Sequence, residues 1–162
     1  MNRKIKNATA LTYDNIQFKS KTEVMVYKTL LQLGFNPYYE ATKYRIWEGF
    51  VPTVPYYTKG KDKNLKLSTK KLIDITYTPD FVFLASDKKT VVIIEVKGFA
   101  NDVFPIKRKM FRKYLETIKN ELKQPVVYFE IYTKKQLMQA VEIIKSNYGS
   151  GKSKGETKMS QS

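Results

Sequence analysis

A mixed α/β domain, with a central mixed sheet flanked by helices, is the fold class this sequence predicts, and three observations carry it. Apolar or alternating runs at Leu72 to Tyr77, Phe81 to Ala85, Val91 to Val96 and Pro125 to Tyr132 read as strands. Stretches with helical spacing open at Ser20, near Pro105 and at Thr133, and they interrupt the strands. Hydrophobic residues are 42% and aromatics 14% of 162, enough for one buried core and too many for a disordered chain. A single domain over residues 1–147 and a disordered Gly/Ser/Lys-rich tail over 148–162 follow as expectations.

Leu11, Tyr13, Ile16 and Phe18 surround an Asp14-Asn15 turn signal, which predicts a short hairpin. Ser20 then opens a helix of about 13 residues, with Glu23 at the capping-box position, Val24, Tyr27, Leu30 and Leu31 at helical spacing, and Gly34 just past the end. Between Asn36 and Tyr57 the chain is aromatic and punctuated by Pro37, Pro52 and Pro55, so two strands joined irregularly are expected. Thr58 to Lys71 carries six lysines against one Asp without an apolar period and reads as a mobile basic loop. The three runs from Leu72 to Val96, turning at Ser86 to Lys89, predict the antiparallel centre of the sheet. A helix from Pro105 to about Leu122 is expected to turn Ile106, Met110, Tyr114 and Ile118 to one face. Pro125 to Tyr132 reads as a buried strand, and Thr133 with Gln136 caps a last helix ending near Asn147.

Thirty Lys plus Arg against 15 Asp plus Glu give a net charge of +15, which points towards polyanions. Cys 0 and His 0 exclude thiolate nucleophiles, imidazole bases and Cys/His zinc cages. Carboxylates, lysines and hydroxyls remain, a set suited to hard, oxygen-bound cations such as Mg²⁺. No run approaches the roughly 18 apolar residues of a spanning helix, and no apolar segment follows the basic start, so a cytoplasmic location is expected. Asn7-Ala8-Thr9 matches a glycosylation acceptor by coincidence, and Gly149 to Ser153 imitates the end of a P-loop without its first Gly.

The chemistry concentrates at two places. Tyr77-Thr78-Pro79-Asp80-Phe81 begins one strand, and Glu95-Val96-Lys97-Gly98, after fourteen intervening residues, ends the next. Alternation along a strand sends Glu95 and Lys97 to one face and Val96 to the other. If the 81–85 and 91–97 strands pair, Asp80 lies across from Glu95 and two carboxylates converge. Such a pair, with the Val96 main chain, suits Mg²⁺ or Mn²⁺ at about 2.0 to 2.1 Å, and Lys97 suits water orientation or phosphate charge. Pro-Asp is also a common turn pair, but charges at the end of the apolar Val91 to Ile94 run are costly without a partner.

Pro79-Asp80 with Glu95-Val96-Lys97 resembles the motif of the PD-(D/E)XK nucleases, and the element order is similar to that family's restriction-endonuclease-like core. Ser20 to Glu23, Tyr77 to Phe81 and Glu95 to Gly98 together resemble the phage junction-resolving endonuclease I branch over roughly residues 16–132. The resemblance implies a Mg²⁺-dependent endodeoxyribonuclease acting on branched DNA such as Holliday junctions in phage recombination. It implies Glu23, Asp80, Glu95 and Lys97 as catalytic, with Asp80, Glu95 and Val96 at the metal. A homodimer joined through a stretch resembling Val51-Pro52 to Pro55 is implied as well. A capping box would account for Glu23 equally well. The basic insertion at Thr58 to Lys71 and a longer gap between Asp80 and Glu95 depart from the pattern.

Lys107, Arg108, Lys109, Arg112 and Lys113 crowd one helix with no acidic residue among them, and a DNA-backbone surface is expected there. Trp47 and Tyr56-Tyr57 could stack on bases or pack internally. A sequence-specific or nicking phage endonuclease and a non-catalytic DNA-binding module stay open as alternatives.

Overall fold

A computed structural model describes residues 10–98 and 104–149 of the chain. Strands β1 (Leu11–Tyr13) and β2 (Ile16–Phe18) form the expected hairpin, and Asp14 and Asn15 take positive φ of 53° and 58°, the left-handed pair such a tight turn needs. Helix α1 (Lys21–Gln32) starts at Ser20, whose hydroxyl accepts the Glu23 N–H. It ends where Gly34, at φ 86°, donates its N–H to the Leu31 carbonyl. Strands β3 (Tyr38–Tyr39), β4 (Tyr44–Trp47), β5 (Tyr57–Lys59), β6 (Leu65–Leu67), β7 (Ile75–Tyr77), β8 (Phe81–Leu84) and β9 (Val91–Val96) follow, then α2 (Phe104–Glu121), β10 (Val126–Ile131) and α3 (Lys134–Tyr148).

The main sheet is mixed and runs β10-β9-β8-β3. β8 and β9 pair antiparallel, and β10 returns parallel to β9 after the α2 crossover. This departs from the expected meander, because β7 pairs with β4 in a separate two-stranded sheet rather than with β8. Leu72 and Ile73, 44% and 81% exposed, lie outside any strand. β10 is an edge strand, mostly half-buried, so the expectation of full burial does not hold. β5 and β6 form a hairpin where a structureless loop was expected.

Alternation along the strands divides the core between two layers. Phe81, Phe83, Val92, Ile94 and Val96 pack with Val26, Tyr27 and Leu30 of α1 and with Leu137, Val141 and Ile144 of α3. On the other face Ile93 and Tyr77 pack with Phe111 of α2. The apolar face of α1 is Val26, Tyr27 and Leu30, with Val24 half-buried against the same core; of the expected stripe only Leu31 turns away and is exposed. In α2 the anchor is Phe111, fully buried and stacked 4.2 Å from Tyr77, while Ile106 is 62% exposed. Counting every fourth residue from Ile106 misses Phe111, because the helix meets the sheet along the Phe111, Tyr114 and Leu115 stripe.

Thr133 and Gln136 form the reciprocal capping box expected for α3, which reaches Tyr148, one residue beyond the expected domain end. The Tyr148 carbonyl accepts the Asp87 N–H and so ties that helix to the β8–β9 turn. Asn7-Ala8-Thr9, most of the P-loop imitation and the tail from Ser150 lie outside the described residues. Among the described residues no helix is long and apolar enough to cross a membrane.

Candidate active site

Register builds the site. Phe81 pairs with Ile94, so Asp80, one residue before β8, comes opposite Glu95 near the end of β9. The Asp80 Oδ2 accepts the Val96 N–H at 2.6 Å, which locks that carboxylate to β9. Glu95 alternates with Ile93 towards the α2 layer and is 8% exposed. Lys97, two residues on, donates from Nζ to Glu95 Oε1 at 2.5 Å. The other Glu95 oxygen, Oε2, is buried and forms no well-aligned hydrogen bond among the described residues, although the Tyr77 hydroxyl stands close to the carboxylate.

The electrostatics match that geometry. Burial, with the Glu95 charge beside it and the Glu23 charge beyond, pushes the Asp80 carboxyl up to about 8, against the Val96 N–H and Lys97, which hold it down. Burial also raises Glu95, while the Lys97 ammonium and then the Tyr77 hydroxyl oppose that rise. Without a cation, the pair therefore keeps a proton on Asp80 at neutral pH, because burial beside Glu95 disfavours a second negative charge there.

Glu23 stands on the first turn of α1. Its Oε2 accepts from the Lys19 N–H at 2.9 Å and the Tyr39 hydroxyl at 2.6 Å. It reaches past Ser20 to the preceding residue, so the reciprocal capping box expected here is only half formed. Among the described residues no group of three or more acidic side chains is close enough to hold a metal ion, and Glu23 does not complete a cage with Asp80 and Glu95. It is nonetheless near enough for its charge to act on Asp80.

Several residues at the site carried no motif. Tyr39 is held by Glu23, and burial followed by that hydrogen bond raises its hydroxyl. Glu40 donates its N–H to the Asp80 carbonyl at 2.8 Å, at a left-handed φ of 44°. Glu40 also pairs with Lys19. On the α2 side Glu130 of β10 is the register partner of Glu95. Its Oε1 accepts from the Tyr128 hydroxyl at 3.2 Å, and that hydroxyl lies 3.4 Å from the Tyr77 hydroxyl. Strand pairing alone brings these groups together, so only a correct register for β10 could have found them.

The basic cluster is partly engaged. Arg108 pairs with Glu130 Oε2 at 3.1 Å, which corrects the expectation that the cluster faces no acid: the partner comes from β10, not from α2. Lys109, Arg112 and Lys113 are exposed, and Lys107 is half-buried. Arg108, Arg112 and Lys119 line an open groove of about 680 Å³ that runs along α2 past Tyr128 and Glu130. Trp47 packs edge-on against Phe50, with centroids 5.6 Å apart, whereas Tyr56 and Tyr57 are exposed.

The fold and site define an α/β protein with a lysine-countered carboxylate pair, Glu95 buried and Asp80 half-buried, at the end of a mixed sheet. The chain belongs to the family described as protein of unknown function (DUF1064), whose model matches residues 3–130 and so includes Glu23, Asp80, Glu95, Lys97 and Glu130. No curated protein and no solved structure matches it.

Proposed function

We propose that this chain is a metal-dependent endodeoxyribonuclease of the PD-(D/E)XK kind, with a restriction-endonuclease-like core, that cuts branched DNA such as a four-way junction. The observation that carries the reading is the pair of half-buried Asp80 and buried Glu95, with Lys97 against it and one Glu95 oxygen without a hydrogen bond among the described residues. An orphaned, buried carboxylate oxygen beside a second carboxylate of raised pKa is a donor set that a hard divalent cation satisfies. Asp80 and Glu95, with the Val96 main chain, would hold Mg²⁺ or Mn²⁺. When bound, the cation supplies charge that polarises a phosphate oxygen and acidifies water.

The chain's own groups do the rest. The Val96 N–H fixes the orientation of Asp80, and Lys97 holds a positive charge where phosphate charge develops. Glu23 adds negative potential from α1 and is itself held by Lys19 and Tyr39. Lys109, Arg112 and Lys113 offer exposed charge to the DNA backbone. A homodimer with two such sites suits the two symmetric cuts of junction resolution. Its support is the exposed apolar surface at Phe50, Val51, Val54, Leu72 and Ile73, where the proline-bounded link was expected.

The test is cleavage of a four-way junction and of a linear duplex of the same sequence, with Mg²⁺ and with excess EDTA, by wild type and Glu95→Gln. Metal-dependent, junction-preferring cleavage that is lost in the variant is the expected result. Full activity in EDTA or in Glu95→Gln would overturn the mechanism, and equal nicking of linear duplex would favour a nicking nuclease over a resolvase.

A further inference from the structure

The basic insertion at Thr58 to Lys71 is built as a ribbon. Tyr57, Thr58 and Lys59 of β5 pair with Leu67, Lys66 and Leu65 of β6, and all six residues are exposed. The Ser68 N–H reaches the Tyr56 carbonyl at 2.8 Å below the pairs, and the Gly60 N–H reaches the Asn64 carbonyl at 2.8 Å above them. At the root Gly49 lies so close to the returning leg that a Cβ there would sit 2.1 Å from the Leu72 carbonyl oxygen. Its N–H is held by Asp74 at 2.7 Å. The two legs are therefore clamped together, and the ribbon stands out from the body.

We propose that the β5–β6 ribbon is a second DNA-contacting element that lays its tip along duplex flanking the site of cutting. The inference rests on the nuclease reading and adds to it a surface separate from α2. Lys59, Lys61, Lys63 and Lys66 stand within eight residues, and the one acid among them, Asp62, is already held by Lys66 at 3.3 Å and by Asn64. The two lysines within the ladder, Lys59 and Lys66, have Leu65 and Thr58 as register mates, so the ladder itself sets no acid opposite either of them. A two-stranded ribbon fits the major groove, about 12 Å wide, and presents lysines to the phosphates on its rims. Exposed Leu65, Leu67 and Tyr57 can meet base edges and sugars there. A second copy of this chain is the poorer occupant for the tip, because it brings another +15 of net charge towards the same lysines. An isolated hairpin is marginal in water, and docking on DNA supplies the contacts it lacks.

The experiment is fluorescence anisotropy of a labelled linear duplex in EDTA, over a salt series. It compares wild type, the fourfold variant Lys59→Gln, Lys61→Gln, Lys63→Gln, Lys66→Gln, and a chain with residues 58–66 replaced by a short Gly-Ser turn. Both variants should bind at least about tenfold more weakly at low salt. Their log K against log salt should be shallower by roughly 2 to 4, at about 0.9 per lost phosphate contact. Unchanged Kd and slope in both variants overturns the inference while leaving the nuclease reading intact. So does unchanged Kd with a fall from dimer to monomer in sedimentation, which would assign the ribbon to a subunit contact. Wild type that binds duplex but cleaves no DNA with any divalent cation sinks the nuclease reading, and the slopes still decide the ribbon. Wild type without affinity for duplex overturns the ribbon inference, and the nuclease reading is then decided by cleavage of the four-way junction.

Discussion

The two ends of this molecule are held by opposite means. At the sheet end, Glu95 is buried and Asp80 and Lys97 are half-buried, all three locked by strand register and side-chain contacts beside a core of two layers. In the arm between Gly49 and Asp74, β5 and β6 are wholly exposed and held by their own ladder and a backbone clamp at the root. The lesson is that charge is kept in two distinct ways. Buried charge needs a compensating ion in a set place, whereas exposed charge needs only a partner that arrives.

The sharpest break between the two regions is catalytic. Asp80→Asn or Glu95→Gln should lower cleavage by about 10²- to 10³-fold or more and leave DNA affinity near wild type, since an amide keeps the shape but is a poor metal ligand. Single-turnover cleavage alongside anisotropy reads both quantities. Next comes packing. Phe111→Ala removes a ring stacked on Tyr77 and should cost about 3 to 5 kcal/mol in denaturant melts, while Leu65→Ala on the arm should fall within about 0.5 kcal/mol of wild type. Similar losses at both positions would mean that the arm is part of the folded core.

A third effect is the pH dependence of stability. Asp80 releases its proton at about 8 when folded and near 3.8 when unfolded, so between those values the folded state binds the extra proton. Its contribution is complete below about 3.8 and is lost as pH rises through about 8, so metal-free protein should melt at falling temperatures across that window. Glu95 is also raised and acts with the same sign. Asp80→Asn should flatten the fall, and added Mg²⁺ should stabilise wild type most at the alkaline end. A wild-type curve that rises with pH over this range would contradict the burial of the pair. The smallest effect is expected at Glu23: Glu23→Gln keeps an oxygen for Lys19 and Tyr39, so the melting temperature should hold while turnover drops about tenfold. Wild-type turnover would leave Glu23 a structural residue only.

What the sequence shows depends on how local the cause is. The Asp14-Asn15 turn, the Ser20 and Thr133 caps and the Gly34 stop are written in a few adjacent residues, and all were legible. The facing of Asp80 and Glu95 followed from one hairpin and alternation, and it too could be read. Glu130, Tyr128 and Tyr39 reach the site through pairings or packing between segments far apart in the chain, and no local pattern announces those. β7 shows the same limit: its alternation made it a strand, but whether it joined β8 or β4 was decided by tertiary packing. The ribbon was hidden for another reason, since its six paired residues bury no face and leave no amphipathic signature.

The long interval between Asp80 and Glu95 has a simple geometric meaning. In an antiparallel hairpin, two residues added to one arm and two to the other push the turn outward and leave the open ends where they were. Phe81 to Leu84 faces Val91 to Ile94 rung for rung, so the extra length is taken up beyond Leu84 in the stretch that folds back onto Tyr148. The hairpin thus works like a pair of tongs whose jaws meet whatever the length of the handles. A balanced insertion at Ser86 to Lys89 leaves the jaws closed, while one residue inserted between Val91 and Ile94 swings Glu95 through the sheet to the α1 and α3 side and parts it from Asp80.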